Sequence, residues 1–89
     1  MKRYTIKIFG KVQGVGFRFR AQEKAKELSL FGYAKNMEDG SVLIDVEGEV
    51  EQLNIFFKWC EGGSESVAVS KLSYAVSDEL KNYSAFVIF

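Results

Sequence analysis

The sequence predicts an α+β fold of the ferredoxin-like, split βαβ kind, on three observations. Hydrophobicity alternates with period two over residues 4–9 and again over 42–47, the signature of half-buried strands. Apolar residues recur at helical spacing at Phe17, Ala21, Ala25 and Leu28, and at Val50, Leu53, Phe57 and Cys60, which gives two amphipathic helices. The resulting order is strand, helix, strand, strand, helix, strand, with a short strand at the end. This βαββαβ pattern is expected to build an antiparallel sheet with both helices on one face.

The elements follow in order. Residues 4–9 place Tyr4, Ile6 and Ile8 on one face and Thr5, Lys7 and Phe9 on the other. Residues 10–16 form a loop containing Gly10, Gly14 and Gly16. The first helix covers residues 17–28, with Arg20, Lys24 and Glu27 off its apolar stripe and Gly32 as its stop signal. A second strand spans 33–37, and Glu38-Asp39-Gly40 makes a hairpin turn, because Asp-Gly tolerates positive φ. The third strand turns Val42, Ile44 and Val46 one way and Leu43, Asp45 and Glu47 the other. Gly48-Glu49 introduces the second helix, with Glu49 and Glu51 at the positive end of its dipole. Phe56 lies beside its inner stripe, while Ile55 and Trp59 point elsewhere and leave an apolar patch. Gly62-Gly63-Ser64 is a loop, residues 67–76 a strand irregular near Ser70, 77–84 a polar stretch, and 85–89 the final strand.

Composition narrows the function. Eighty-nine residues suit one domain, residues 1–89. Twelve basic residues balance twelve acidic ones, which argues against a nucleic-acid binder with a basic face. No apolar run reaches the length of a membrane span, and the first residues lack the apolar block of a signal peptide. The single cysteine, Cys60, has no internal disulfide partner and reads as a small buried hydrophobe, so a cytoplasmic protein is expected. A monomer is expected as well, with the Ile55 and Trp59 patch leaving weak association open. Histidine is absent. Its absence removes Ser-His-Asp and Cys-His nucleophilic pairs and most zinc sites, and no metal or other cofactor is expected.

The richest segment is Gly10-Lys11-Val12-Gln13-Gly14-Val15-Gly16-Phe17-Arg18. Glycines let the backbone turn its N–H groups towards a guest, and a helix N-terminus behind them favours an anion. On spacing alone this is equally a ligand-free strand-to-helix turn. Arg18 tips the balance, because a cation in the first helical turn opposes the dipole unless an anion sits there. Lys11 adds to the local positive field, whereas Arg20 reads as solvated surface charge. Connectivity brings a second residue in. The second strand runs back towards the loop's end of the sheet, so Asn36 arrives beside Arg18. Taken alone, an asparagine before a hairpin is turn chemistry.

Two stretches of sequence carry a resemblance. Gly10-x-Val12-Gln13-Gly14-Val15-x-Phe17-Arg18 resembles the first signature of the acylphosphatase family. Gly32-Tyr33-Ala34-Lys35-Asn36, followed by Gly40-x-Val42 and Gly48, resembles its second. The resemblance implies a ferredoxin-like enzyme that hydrolyses the carboxyl–phosphate bond of small acyl phosphates without a metal. It implies that Arg18 binds the phosphate, that Asn36 positions the water, and that the backbone of Gln13, Gly14, Val15, Gly16, Phe17 and Arg18 forms the cradle. Inorganic phosphate or sulfate would occupy the same cradle. The stretch Gly62-Gly63-Ser64-Glu65 departs from the family in lacking prolines, as does the final Phe89 in being neither charged nor polar.

The residues suit that chemistry. A departing carboxylate, whose acid has a pKa of about 4.3, scarcely needs protonation. A chain without histidine can therefore work by holding phosphate oxygens and placing water in line. Two rivals remain at this level. One is an anion-binding regulatory module of the same fold. The other is an RNA-binding sheet, which would need exposed aromatics and a basic face.

Overall fold

The computed structural model describes residues 1–62 and 67–89. Its elements are β1 (Lys2–Lys11), α1 (Phe17–Glu27), β2 (Phe31–Asn36), β3 (Val42–Gly48), α2 (Val50–Gly62), β4 (Ala68–Ser77) and β5 (Phe86–Ile88). The strands form one sheet in the order β4-β1-β3-β2-β5. Its first four are antiparallel neighbours, which is the expected ferredoxin-like arrangement. The fifth corrects the expectation of a wholly antiparallel sheet, because β5 lies parallel to β2, with Gly32 opposite Phe86 and Ala34 opposite Ile88. A parallel neighbour needs a crossover, and residues 78–85 supply it by passing across the sheet from one edge to the other.

Period two and period 3.6 meet in a single core. Tyr4, Ile6 and Ile8 of β1, Ala34 of β2, and Val42, Ile44 and Val46 of β3 face the helices. Against them pack Phe17, Ala21 and Ala25 of α1 and Leu53, Phe56 and Cys60 of α2. Both helices thus cover one face. Trp59 differs from expectation: its ring stacks on Phe17 at 5.5 Å and 12°, so it joins the helix–helix seam, while Ile55 alone of that pair is exposed.

Three local readings shift. The strand before the glycine loop continues through Gly10 to Lys11, because its ladder with β4 resumes after a bulge at Ser70: Phe9 faces Lys71 and Gly10 faces Val69. The expected irregularity near Ser70 is therefore present. The first helix is closed by Ser29 rather than Gly32. Ser29 adopts φ 56°, its N–H bonds the Lys26 carbonyl at 3.1 Å, and the Leu30 N–H bonds that of Ala25 at 2.8 Å, a Schellman closure. Gly32 lies inside β2 instead. The expected Gly62–Ser64 loop falls, beyond Gly62, outside the described residues. No helix among the described residues is long and apolar enough to cross a membrane.

Candidate active site

The site lies at the end of the sheet where β1 and β2 finish and β3 begins. Gly10 has φ 126°, and a Cβ there would stand 2.1 Å from the Ala68 carbonyl oxygen, so only glycine lets β1 pass the bulge. Gly14 and Gly16 are different. Both are left-handed, at φ 73° and 77°, yet a Cβ on either would meet nothing within 4 Å. Backbone direction rather than crowding calls for glycine there. Left-handed residues interleaved in a tight loop aim successive N–H groups inward, as anion-binding nests do.

The helix completes the donor set. The first bond of α1 runs from the Arg20 N–H to the Gly16 carbonyl at 3.2 Å, so the N–H groups of Phe17, Arg18 and Phe19 have no intrahelical acceptor. No side chain among the described residues caps this end, and no acidic residue occupies its first turn. The positive end of the dipole is therefore uncompensated by the helix itself. Arg18 is half-buried. Its guanidinium Nη1 donates to the main-chain oxygen of Phe89, and the Phe89 N–H donates in turn to the Ala34 carbonyl at 2.9 Å. The guanidinium is thereby held against β2, two residues before Asn36.

Register brings Asn36 to the same end. Val42 pairs with Ile8 on one side and with Asn36 on the other. The two flanking backbones are thus about 10 Å apart, two strand spacings. Asn36 also shares the helix-facing side of β2 with Ala34, since side chains alternate along a strand. Its Oδ1 is buried and has no hydrogen-bond partner among the described residues. The turn that follows is closely tied. Met37 N–H bonds the Ser41 carbonyl at 2.8 Å, Gly40 N–H bonds the Met37 carbonyl at 3.1 Å, and Asp39 accepts from both the backbone and the hydroxyl of Ser41. Those bonds, with Lys7 at 3.0 Å, hold the Asp39 carboxyl well below the usual carboxylate range.

The structure thus brings Arg18, Asn36 and the loop from Gln13 to Phe17 to one end of the sheet. Lys11 is exposed at the end of β1, and Arg20 lies on the exposed surface of α1. Cys60 is buried, and burial pushes its thiol up beyond ordinary ionisation. Two features escape sequence reasoning. The Gln13 side chain donates to the carbonyls of both Met37 and Ser41, at 2.8 and 2.9 Å, and the Phe89 main chain orients Arg18. Neither leaves a local pattern in the sequence, because each depends on which distant segment arrives opposite it.

Comparison with known proteins is concordant. The family model described as Acylphosphatase matches residues 4–88. A curated acylphosphatase of Aeromonas hydrophila is 38% identical over 74 residues, covering 83% of this chain and 82% of the relative. One of Clostridium acetobutylicum is 44% identical over 72 residues, covering 81% and 79%. The crystal structure of acylphosphatase from Bacillus subtilis superposes with a TM-score of 0.96 at 37% identity, covering 100% of this chain and 99% of that one. On these matches, this chain belongs to the acylphosphatase family, enzymes that hydrolyse acyl phosphates.

Proposed function

We propose that the enzyme seats the phosphoryl group of its substrate in the backbone cradle of Gln13, Gly14, Val15, Gly16, Phe17 and Arg18. In this reading the Arg18 side chain grips the equatorial oxygens and Asn36 places the attacking water. A guanidinium has five donors in a fixed fork. The bond to Phe89 uses Nη1 and leaves the rest of the fork for phosphate. The observation that carries the reading is a convergence: strand register brings Asn36 to the end of the sheet where the left-handed Gly14 and Gly16 and the uncapped start of α1 lie. A water hydrogen-bonded to the Asn36 amide is fixed with a lone pair free to attack.

The reaction then balances simply. The water oxygen bonds to phosphorus, the bond between phosphorus and the carboxyl oxygen breaks, and a carboxylate leaves. The water's proton passes to a phosphate oxygen, since a loose phosphoryl transition state asks little of a base. Prealigned N–H groups stabilise the charge without reorganising. No step in this sequence calls on a metal. Inorganic phosphate, the product, or sulfate occupies the same cradle. We further propose that residues 1–89 act as a single monomeric domain, since every group in the scheme comes from one chain. The lone reduced thiol of Cys60 is in keeping with the cytoplasm.

The test is hydrolysis of benzoyl phosphate by the wild type and by Arg18→Ala. Loss of a transition-state donor costs roughly 10²–10³ in rate, and Arg18→Ala is expected to lose at least that much. Near-normal turnover by this variant would refute the assignment of Arg18.

A further inference from the structure

The cradle and the water-holding turn lie on separate chain segments, and a single side chain joins them. Gln13 sits in the loop between β1 and α1. Its amide nitrogen, Nε2, is the donor in both bonds, to the Met37 carbonyl at 2.8 Å and to the Ser41 carbonyl at 2.9 Å. These two carbonyls bracket the β2–β3 turn, whose own closing bond runs between Met37 and Ser41. Asn36 immediately precedes it. Both N–H hydrogens of the amide are thus spent on one task, which is to fix the distance from the cradle backbone to the residue beside Asn36.

We infer that Gln13 is a positioning residue for hydrolysis, setting Asn36 in line with a phosphoryl group held by the loop. The inference rests on the water-placing reading of Asn36. In-line attack is sensitive to such spacing: a displacement of about 1 Å can cost 10²-fold in rate. No other side chain among the described residues bonds this loop to the turn. Lys7 reaches Asp39 from β1, below the loop. Gln13→Met tests the amide with least disturbance, because it keeps the side chain's length and neutrality and removes both donors. Each carbonyl keeps its turn partner, Gly40 N–H for Met37 and Met37 N–H for Ser41, so the turn itself stays closed.

The experiment measures kcat on benzoyl phosphate and the affinity for inorganic phosphate in four proteins: wild type, Gln13→Met, Asn36→Ala and the double variant. In the wild-type background Gln13→Met is expected to lower kcat roughly 10- to 100-fold while phosphate affinity changes less than about threefold. In the Asn36→Ala background the same substitution is expected to cost less than about twofold, because nothing remains to be positioned. Equal losses in both backgrounds, or a phosphate affinity that falls in step with kcat, would overturn the inference and leave Gln13 a member of the cradle alone. An Asn36→Ala variant with normal turnover would instead remove the water-placing reading, and the positioning role with it. Should Gln13→Met not fold, Gln13→Asn gives the same comparison, since it keeps the amide but falls one methylene short of the turn.

Discussion

The side chains proposed for the chemistry are placed by the fold before any substrate arrives. Arg18 and Asn36 illustrate two ways of doing so. Arg18 is a long side chain made definite by one main-chain acceptor, Phe89, which is itself pinned to β2. Asn36 is short and definite through its strand register, with an amide oxygen that has no partner among the described residues. The two are expected to fail differently. Asn36→Ala removes the group proposed to orient water but none of the donors proposed for the cradle, so kcat on benzoyl phosphate should drop while phosphate affinity stays within a few-fold. Measuring turnover alongside phosphate inhibition separates the two effects. A collapse of phosphate affinity with turnover merely following would assign Asn36 to the cradle.

At the level of elements, glycine does two jobs that a sequence displays identically. Gly14, Gly16 and Gly40 have positive φ and open space around them, whereas Gly10 and Gly32 are pressed against neighbouring backbone. At Gly32 φ is 155°, and a Cβ would stand 1.9 Å from the Asp45 carbonyl oxygen, so β2 can lie against β3 only without a side chain there. Gly40→Ala should therefore cost about 1 kcal/mol, the order of a left-handed alanine. Gly32→Ala must push β2 away from β3, and is expected to cost several times as much in urea melts and to weaken catalysis through Asn36 on the same strand. Similar losses for the two variants would contradict this distinction. The contrast marks what the sequence makes legible. Periodicity located both helices and the strands over 4–9 and 42–47, and connectivity alone put Asn36 at the end of the sheet that holds Arg18. Neither could tell a stop signal from a close approach at Gly32, nor see that Ser29 closes α1, because both depend on what the neighbouring chain does. The tight turns of the glycine loop are legible because the left-handed backbone they need is a local requirement, whereas the Gln13 bonds are not.

For the molecule as a whole, the question is what seats β5, since β5 leads to the main-chain oxygen that orients Arg18. Residues 78–85 cross the face of the sheet opposite the helices, and each strand they pass holds them. Arg3 of β1 donates to the Glu79 carbonyl at 2.9 Å. Glu47 of β3 accepts the N–H groups of Lys81 and Tyr83, both at 2.8 Å. Tyr33 of β2 meets the Tyr83 ring edge-on at 6.1 Å. Beneath the crossing, Asp45 is buried and accepts from Arg3 at 2.9 Å, from Thr5 at 2.7 Å and from the Tyr83 hydroxyl. Burial, then the bond to Asp45, pushes the Tyr83 phenol well above its ordinary value. A phenol that must keep its proton when folded, yet ionises near pH 10 when unfolded, contributes fully below about pH 10. That contribution is lost as pH rises further, because the unfolded chain then binds fewer protons than the folded one. Tyr33 is raised too, by burial and then by Asp45, so alkaline loss should not vanish when Tyr83 is replaced. Tyr83→Phe is expected to lower stability at pH 7 by roughly 0.5–1.5 kcal/mol, the net worth of one hydrogen bond, and to lose less further stability than the wild type between about pH 9 and 11. Thermal melts across that range decide it. Parallel alkaline slopes in the two proteins would mean that Tyr83 packs the crossing without its proton mattering.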